Sequence, residues 1–310
     1  MSNYIEPRLR RDFGGIITAF FNFMKANIRG LLNVFIGYNG IFFILFLISV
    51  YFLITGFVEF LIVENLSATG GDGSTDAAAI TMAISSIGLF LLIGLASIFN
   101  YAISSSYVSL YERRKENNLS KRSVWQVAKK AFWGIVLIAV CAVVLYFVYA
   151  VVQIILAFIP ILGMLISLVI ALAFNAWISL TIFSYVHNDD HNVFDAFGEA
   201  WQLLFSGFWK TLGVNFVLGS LVQICIFSLQ IVPAIIMGVI AFHAIEDTGS
   251  FTDSTISHIL LIVFLTVFCV MLMFVQMISQ IINGFLYFNL HEFKNNEYLR
   301  SRITQIGAVE

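Results

Sequence analysis

Six stretches of this chain, near residues 40–63, 78–108, 132–158, 161–186, 212–243 and 258–290, run for more than twenty residues without a lysine or arginine and are dominated by apolar side chains. About 20 such residues carry a helix across the hydrocarbon core of a bilayer. Backbone amides that have no water to bond close their hydrogen bonds along the helix itself. The chain as a whole is 60% hydrophobic and only 11% charged, where soluble domains carry roughly 25% charged residues. With 3 prolines in 310 residues, long uninterrupted helices are expected. The pattern predicts an all-α, polytopic membrane protein with six transmembrane helices. The third and fourth runs are separated only by Ala157-Phe158-Ile159-Pro160-Ile161-Leu162-Gly163, where Pro160 and Gly163 supply the chemistry of a tight turn.

The cations set an orientation. Residues 1–38 hold Arg8, Arg10, Arg11, Lys25 and Arg29; residues 109–131 hold Arg113, Arg114, Lys115, Lys121, Arg122, Lys129 and Lys130; Lys210 follows the fourth run, and Lys294, Arg300 and Arg302 follow the sixth. These are all 16 lysines and arginines, and the three intervening loops have none. Cytoplasmic loops carry the excess of cations, and an even number of spans keeps all four cationic segments on one side. The expectation is a plasma (inner) membrane protein with both termini cytoplasmic. The exterior loops are small and acidic, with Glu64, Asp72 and Asp76 in the first and Glu246, Asp247 and Asp253 in the third. No cleaved signal peptide is evident at the start. Cys141, Cys225 and Cys269 all fall in apolar runs, which argues against a disulfide framework.

Each pair of spans is preceded by a segment with helical apolar spacing and a polar face. Phe13, Ile16, Ile17, Phe20, Phe23 and Met24 form the first, and Phe194, Phe197, Trp201, Leu204 and Phe205, interleaved with Asp195, Glu199 and Gln202, form the third. The two align with Phe13 on Phe194, Phe20 on Trp201 and Arg29-Gly30-Leu31 on Lys210-Thr211-Leu212; the segment from Ser120 to Phe132 fits less well. The resulting plan is one membrane domain of three hairpins, each led in by a cytoplasmic amphipathic interfacial helix. Its parts are a tail and helix at 1–38, hairpins within 39–110, 111–186 and 187–290, and a tail at 291–310.

Three sets of residues are candidates for chemistry. His187, Asp190 and His191 could ligate a divalent metal if helical, since residues four apart share a face; yet the stretch His187-Asn188-Asp189-Asp190-His191 has ordinary turn composition and is read first as a turn, with Asn192 or Asp195 capping the next helix. Gln230, Gln276, Gln280 and Asn283 could line a polar groove near Pro233, or bond between helices. Arg113, Arg114, Lys115, Lys121, Arg122, Lys129 and Lys130, beside Trp125 and Trp133, could contact anionic lipid, although positive-inside topology alone also places cations there. Among ionisable groups only Glu59 sits well within a span, near its exterior end. No phosphate loop, nucleophile elbow, metalloprotease helix or zinc-spaced cysteine set is present, so neither an enzyme nor a cofactor is expected. Nothing points to nucleic acid.

The lead-in Phe13-x-x-Ile16-x-x-x-Phe20-x-x-Phe23-x-Lys25-x-Asn27-x-Arg29-x-Leu31 resembles that of six-span bacterial membrane families grouped with the membrane domain found beside some glycerophosphodiester phosphodiesterases. In those proteins the catalysis belongs to a separate soluble domain, so the resemblance implies an accessory or scaffold and carries over no functional residue. The expected role is a non-catalytic membrane component that organises lipids, or a membrane or cytoplasmic protein partner, at the cytoplasmic face. A transporter or channel for a small or lipid-like solute is the alternative.

Overall fold

The structure, a computed structural model, describes residues 4–68, 76–117, 119–246 and 255–307. Asp72, Asp247 and Asp253 of the acidic loops lie outside them. Among the described residues every regular element is a helix: α1 (Phe13–Ala68), α2 (Asp76–Arg114), α3 (Lys121–Ala157), α4 (Leu162–His187), α5 (Val193–Ser206), α6 (Phe208–Glu246), α7 (Thr255–Asn295) and α8 (Glu297–Gly307). Helices α1, α2, α3, α4, α6 and α7 are long and apolar enough to cross a membrane, and each contains, to within one residue at an end, one of the six cation-free runs.

The lead-in segments behave differently from one another. Those at Phe13 and Ser120 are the opening turns of α1 and α3, with no break before the apolar run; at Phe194 a separate 14-residue helix, α5, ends at Gly207 before α6 begins. Both helices run on through a glycine near the junction, Gly30 in α1 and Gly134 in α3, since each added residue supplies one more bond and neither segment contains a proline. The α3–α4 connection is as short as Pro160 and Gly163 suggest. Leu162 N donates to Pro160 O at 2.6 Å across Ile161, which adopts a positive φ of 58°, the geometry of a γ-turn. A Cβ on Gly163 would stand 2.1 Å from Leu156 O, so only glycine lets the chain turn back there.

The chain divides into two compact units, one of Met1–Phe35, Ile98–Leu221 and Gln276–Glu310, the other of Ile36–Ser97 and Val222–Val275. In the first, residues 102–112 of α2, 179–184 of α4 and 280–290 of α7 are buried on every side. Helices buried all round approach closely only through small residues. Ser104, Ser105, Ser106 and Ser109 fill that role on α2, and on α7 it is Gly284, where a Cβ would lie 2.8 Å from the Phe183 ring and 2.9 Å from Val108 Cγ1. Several polar groups carried into this core are bonded within it, although Ser106 Oγ and Gln280 Oε1 are buried without a hydrogen bond. Gln280 donates to Ser105 Oγ at 2.7 Å and to Ser179 O at 3.1 Å, and Asn215 donates to Asn283 Oδ1 at 3.2 Å.

The second unit has a simpler core. Val50, Ile54 and Val58, four apart on α1, are buried and pack with Leu89 of α2 and Leu261, Ile262 and Leu265 of α7. Gly56 faces α2, where a Cβ would meet the Met82 amide at 3.1 Å.

Two glycine-to-alanine changes separate these roles. Gly284→Ala overpacks the first unit's core and is expected to cost about 1–3 kcal/mol, read as a lower Tm of the detergent-solubilised protein. Gly219→Ala in α6, where an added Cβ meets nothing within 4 Å, should leave Tm unchanged or raise it, because alanine is the better helix former. Equal Tm losses in the two variants would contradict this packing.

Candidate functional site

The polar chemistry of the first unit gathers where α2, α4 and α7 end and α5 crosses them. A non-helical segment, residues 4–12, straps over this end. Tyr4 stacks on Tyr111 of α2 at 5.0 Å, and Ile5 N donates to the Tyr111 hydroxyl at 2.8 Å. Further along, Asn289 of α7 donates to Leu9 O at 3.1 Å, and the Arg10 guanidinium lies 4.5 Å from the centre of the Phe293 ring. Burial pushes the Tyr4 phenol pKa well above its ordinary value, with Glu6 adding to the effect.

Arg8 is the strap's anchor. Its Nε sits 2.7 Å from Glu112 Oε1, a carboxylate buried at the end of α2. Its Nη2 lies 3.4 Å from His187 Nε2, and His187 Nδ1 lies 3.0 Å from Ser109 Oγ. A guanidinium only donates, so Nε2 accepts, Nδ1 carries the proton, and Ser109 accepts from it. A Ser–His contact of 3.0 Å would suit a nucleophile and its base. Here, however, the far ring nitrogen faces a cation in place of the carboxylate that orients such a base, so the arrangement holds the strap down.

Glu199 of α5 is a second hub. Its carboxylate accepts from Tyr287 Oη at 3.0 Å, from Asn188 Nδ2 at 3.1 Å and from the Ser184 hydroxyl, with His191 Nδ1 at 3.5 Å and His291 Nε2 at 3.9 Å. Asn188 also donates to Tyr287 Oη at 2.9 Å. Glu199 thereby ties α5 to α4 and α7. Between the two hubs lies a cavity of about 190 Å³ lined by Arg8, His187, Asn188, Tyr287, Phe288 and His291, together with Glu292. Both oxygens of Glu292 are taken up by Tyr298 N at 2.8 Å and Leu299 N at 3.1 Å, in the first turn of α8.

The sequence candidates are placed as follows. His187 is inside the strap cluster, His191 beside Glu199, and Asp190 is exposed, so the three are not brought to one point. Among the described residues no group of three or more His, Cys, Asp or Glu could hold a metal. The capping reading holds in full: Asn192 Oδ1 accepts from Asp195 N at 2.9 Å, and the Asp195 side chain returns to Asn192 N. Of the polar-groove residues, Gln280 and Asn283 are buried in the first unit's core and bonded there; Gln276 and Gln230 are half-buried and belong to different units. Of the seven cations, Arg113 and Lys130 converge on Asp189 at 3.0 and 3.1 Å. Arg114, Lys115, Lys121, Arg122 and Lys129 are exposed.

Two features escaped sequence reading. Residues 4–12 carry no periodic signal, and the contacts that hold them to the helices, with Tyr111, Glu112, His187 and Asn289, span about a hundred residues or more. Glu199 reads as part of a polar face, whereas α5 turns it inward with Val193, Ala196, Ala200, Leu203 and Leu204 and leaves Phe194, Trp201 and Phe205 exposed. The chain matches no family model, no curated protein and no solved structure.

Removing the Glu199 carboxylate with Glu199→Ala takes away the acceptor that Tyr287, Asn188 and Ser184 share, at an expected cost of about 2 kcal/mol. The check is a Tm lowered by several degrees relative to an exposed control, Gln202→Ala. The Asp189 pKa is held below the ordinary carboxylate value by hydrogen bonds from Lys130 and then Arg113. A depressed carboxylate stabilises the fold above its unfolded pKa and loses that contribution as pH falls through its folded pKa. Asp189→Asn should thus be less stable than the parent near neutral pH, by no more than about 1 kcal/mol for so exposed a pair. The gap should close below about pH 4, as followed by Tm against pH.

Proposed function

We propose that this chain is a non-catalytic membrane component that gathers anionic lipid at the cytoplasmic face of the plasma membrane, with both termini on that side and its spans paired as three hairpins. The observation that carries the proposal is the outer stripe of α3. Arg122, Gln126, Lys129 and Trp133 fall within about 60° of one another around the helix, and all are exposed. The buried residues Val124, Ala128, Ala131, Ile135 and Ile138 lie on the opposite side.

Beyond Trp133 the same stripe continues through Leu137, Val140, Val144, Phe147 and Val151, each between 47% and 69% exposed. Read outward from Arg122, it passes from cation to indole to aliphatic. That is the order of headgroup, interface and hydrocarbon in a leaflet. Lys129 and Trp133 are about 6 Å apart along the axis, and Trp133 to Val151 is about 27 Å, close to the roughly 30 Å of a hydrocarbon core. The exposed aromatics of α5, Phe194, Trp201 and Phe205, with Trp209 at 74% exposure on α6, extend the same apolar and aromatic contact.

Hairpin pairing is supported by close approaches in the first unit: Gly30 to Tyr107, Gly134 to Tyr185, and Asn215 to Asn283. The cytoplasmic assignment rests on the cation count. The accessory role also accords with the layout-level resemblance to the phosphodiesterase membrane domain. A solute path has less support, since Gln280 and Asn283, two of the four groove residues, spend their hydrogen bonds inside the core.

Each juxtamembrane cation contributes about 1 kcal/mol of attraction to an anionic leaflet. Arg122→Gln with Lys129→Gln is therefore expected to lower affinity for phosphatidylglycerol roughly thirtyfold, with phosphatidylcholine binding unchanged. Native mass spectrometry of the protein released from nanodiscs of mixed composition measures both. Undiminished phosphatidylglycerol retention in the double variant would end the proposal.

A further inference from the structure

The second unit contains a cavity of about 250 Å³ between α1 and α7. Its wall is largely aliphatic, formed by Ile54 and Val58 of α1 and Ile259 and Ile262 of α7, and among the described residues Glu59 and His258 bring the only titratable side chains besides the Tyr51 phenol. The volume corresponds to roughly eight water-sized groups, the scale of a small organic molecule. Its composition, apolar walls with a few polar groups, is that of a ligand pocket.

The charge on this unit has one sign. Its two segments, Ile36–Ser97 and Val222–Val275, contain seven aspartates and glutamates and neither a lysine nor an arginine. Glu59 is thus a carboxylate within a membrane-spanning helix, beside an apolar cavity, in a unit with no ammonium or guanidinium to balance it. Such groups are costly in hydrocarbon and mark functional sites by default. An anion would meet repulsion from Glu59, and a neutral molecule would use only the walls. A cation with an apolar body satisfies both halves of the site.

We propose that this cavity binds a lipophilic organic cation, its apolar body packed against Ile54, Val58, Ile259 and Ile262 and its ammonium group directed to Glu59. The affinity comes from burial of the apolar body, and the selectivity from charge. Binding need not change the rest of the molecule, and it is independent of the lipid contact on α3.

The test uses three probes of similar size on the full-length protein in nanodiscs: 2-phenylethylammonium, 2-phenylethanol and 3-phenylpropionate, with saturation-transfer NMR as the readout. The ammonium is expected to bind at least tenfold more tightly than the alcohol, and the carboxylate not at all. Glu59→Gln should erase the preference of ammonium over alcohol while both still bind. Val58→Trp, which fills the cavity and keeps Glu59, should abolish binding of both. Equal binding of ammonium and alcohol to the parent protein would overturn the proposal, and this comparison needs no variant to fold. Unchanged ammonium preference in Glu59→Gln would also overturn it, as would a lipid acyl chain occupying the cavity that neither probe displaces.

Discussion

The first unit depends on three helix segments being buried on all sides at once. Residues 102–112 of α2 have no face left for lipid or water, so every side chain there must fit against protein, and every polar atom must look for its partner within the bundle. Small residues meet the first demand. Gly284 removes the one Cβ that would strike both Phe183 and Val108, and the serines of α2 occupy little more room than alanine. The second demand is met by bonds such as Gln280 to Ser105 and to the Ser179 carbonyl, and by hydroxyls that turn back on their own helix, as Ser104 does to Asn100 O at 2.7 Å and Thr181 to Trp177 O at 2.8 Å. Within a membrane such bonds add modestly to association. Their larger consequence is to fix which helix faces which, because a rotated helix would leave an amide without a partner.

This explains why the strap and α5 close on the end of the bundle where they do. The central helices deliver Glu112, His187 and Tyr287 to nearly the same level, and each still has hydrogen-bonding capacity. Arg8 meets the first two, and Glu199 meets the third. The two hubs are complementary in sign, a cation supplied by the strap and an anion supplied by α5. Asn188, with donors to both Tyr287 and Glu199, occupies the gap between α4 and α5 that the Asn192 cap opens. The cavity between them is therefore bounded by groups already committed to holding helices together, with the Arg8 guanidinium among them.

The membrane-spanning helices were legible in the sequence because a hydrocarbon solvent writes a long signal: two dozen residues without a cation. The cap at Asn192 and Asp195 and the turn at Pro160 and Gly163 were legible because their chemistry is local, within a few residues. The strap was not, since Arg8 meets Glu112 and His187 over separations of 104 and 179 residues, and nothing in Arg8's neighbours encodes that. Nor was the rotation of α5, and the reason is physical. A short helix with bulky aromatics on one side and small aliphatics on another offers two apolar faces, and periodicity alone does not say which is packed. The small face, Ala196 and Ala200 with Leu203 and Leu204, fits the bundle closely and carries Glu199 inward with it; Phe194, Trp201 and Phe205 are left outside.

The same reasoning divides the cations of the 109–131 segment, which composition treats as one basic cluster. Orientation in the membrane responds to their number, and for that purpose all seven are equivalent. The folded chain makes them unequal. Asp189 sits between Arg113 and Lys130 at hydrogen-bonding distance from both, so these two are already paired with a carboxylate and offer a leaflet less than their formal charge. Arg113 is held further by donating to the His187 carbonyl at the end of α4. Arg122 and Lys129 point the other way, directly opposite the packed face of α3, on the stripe that runs on to Trp133. A positive-inside bias requires no such stripe; cations scattered around the helix would orient the protein equally well. What distinguishes a headgroup contact from a topology signal is therefore the alignment of cation, indole and aliphatic surface on a single line of α3, set by the burial of Val124, Ala128, Ala131, Ile135 and Ile138 behind it.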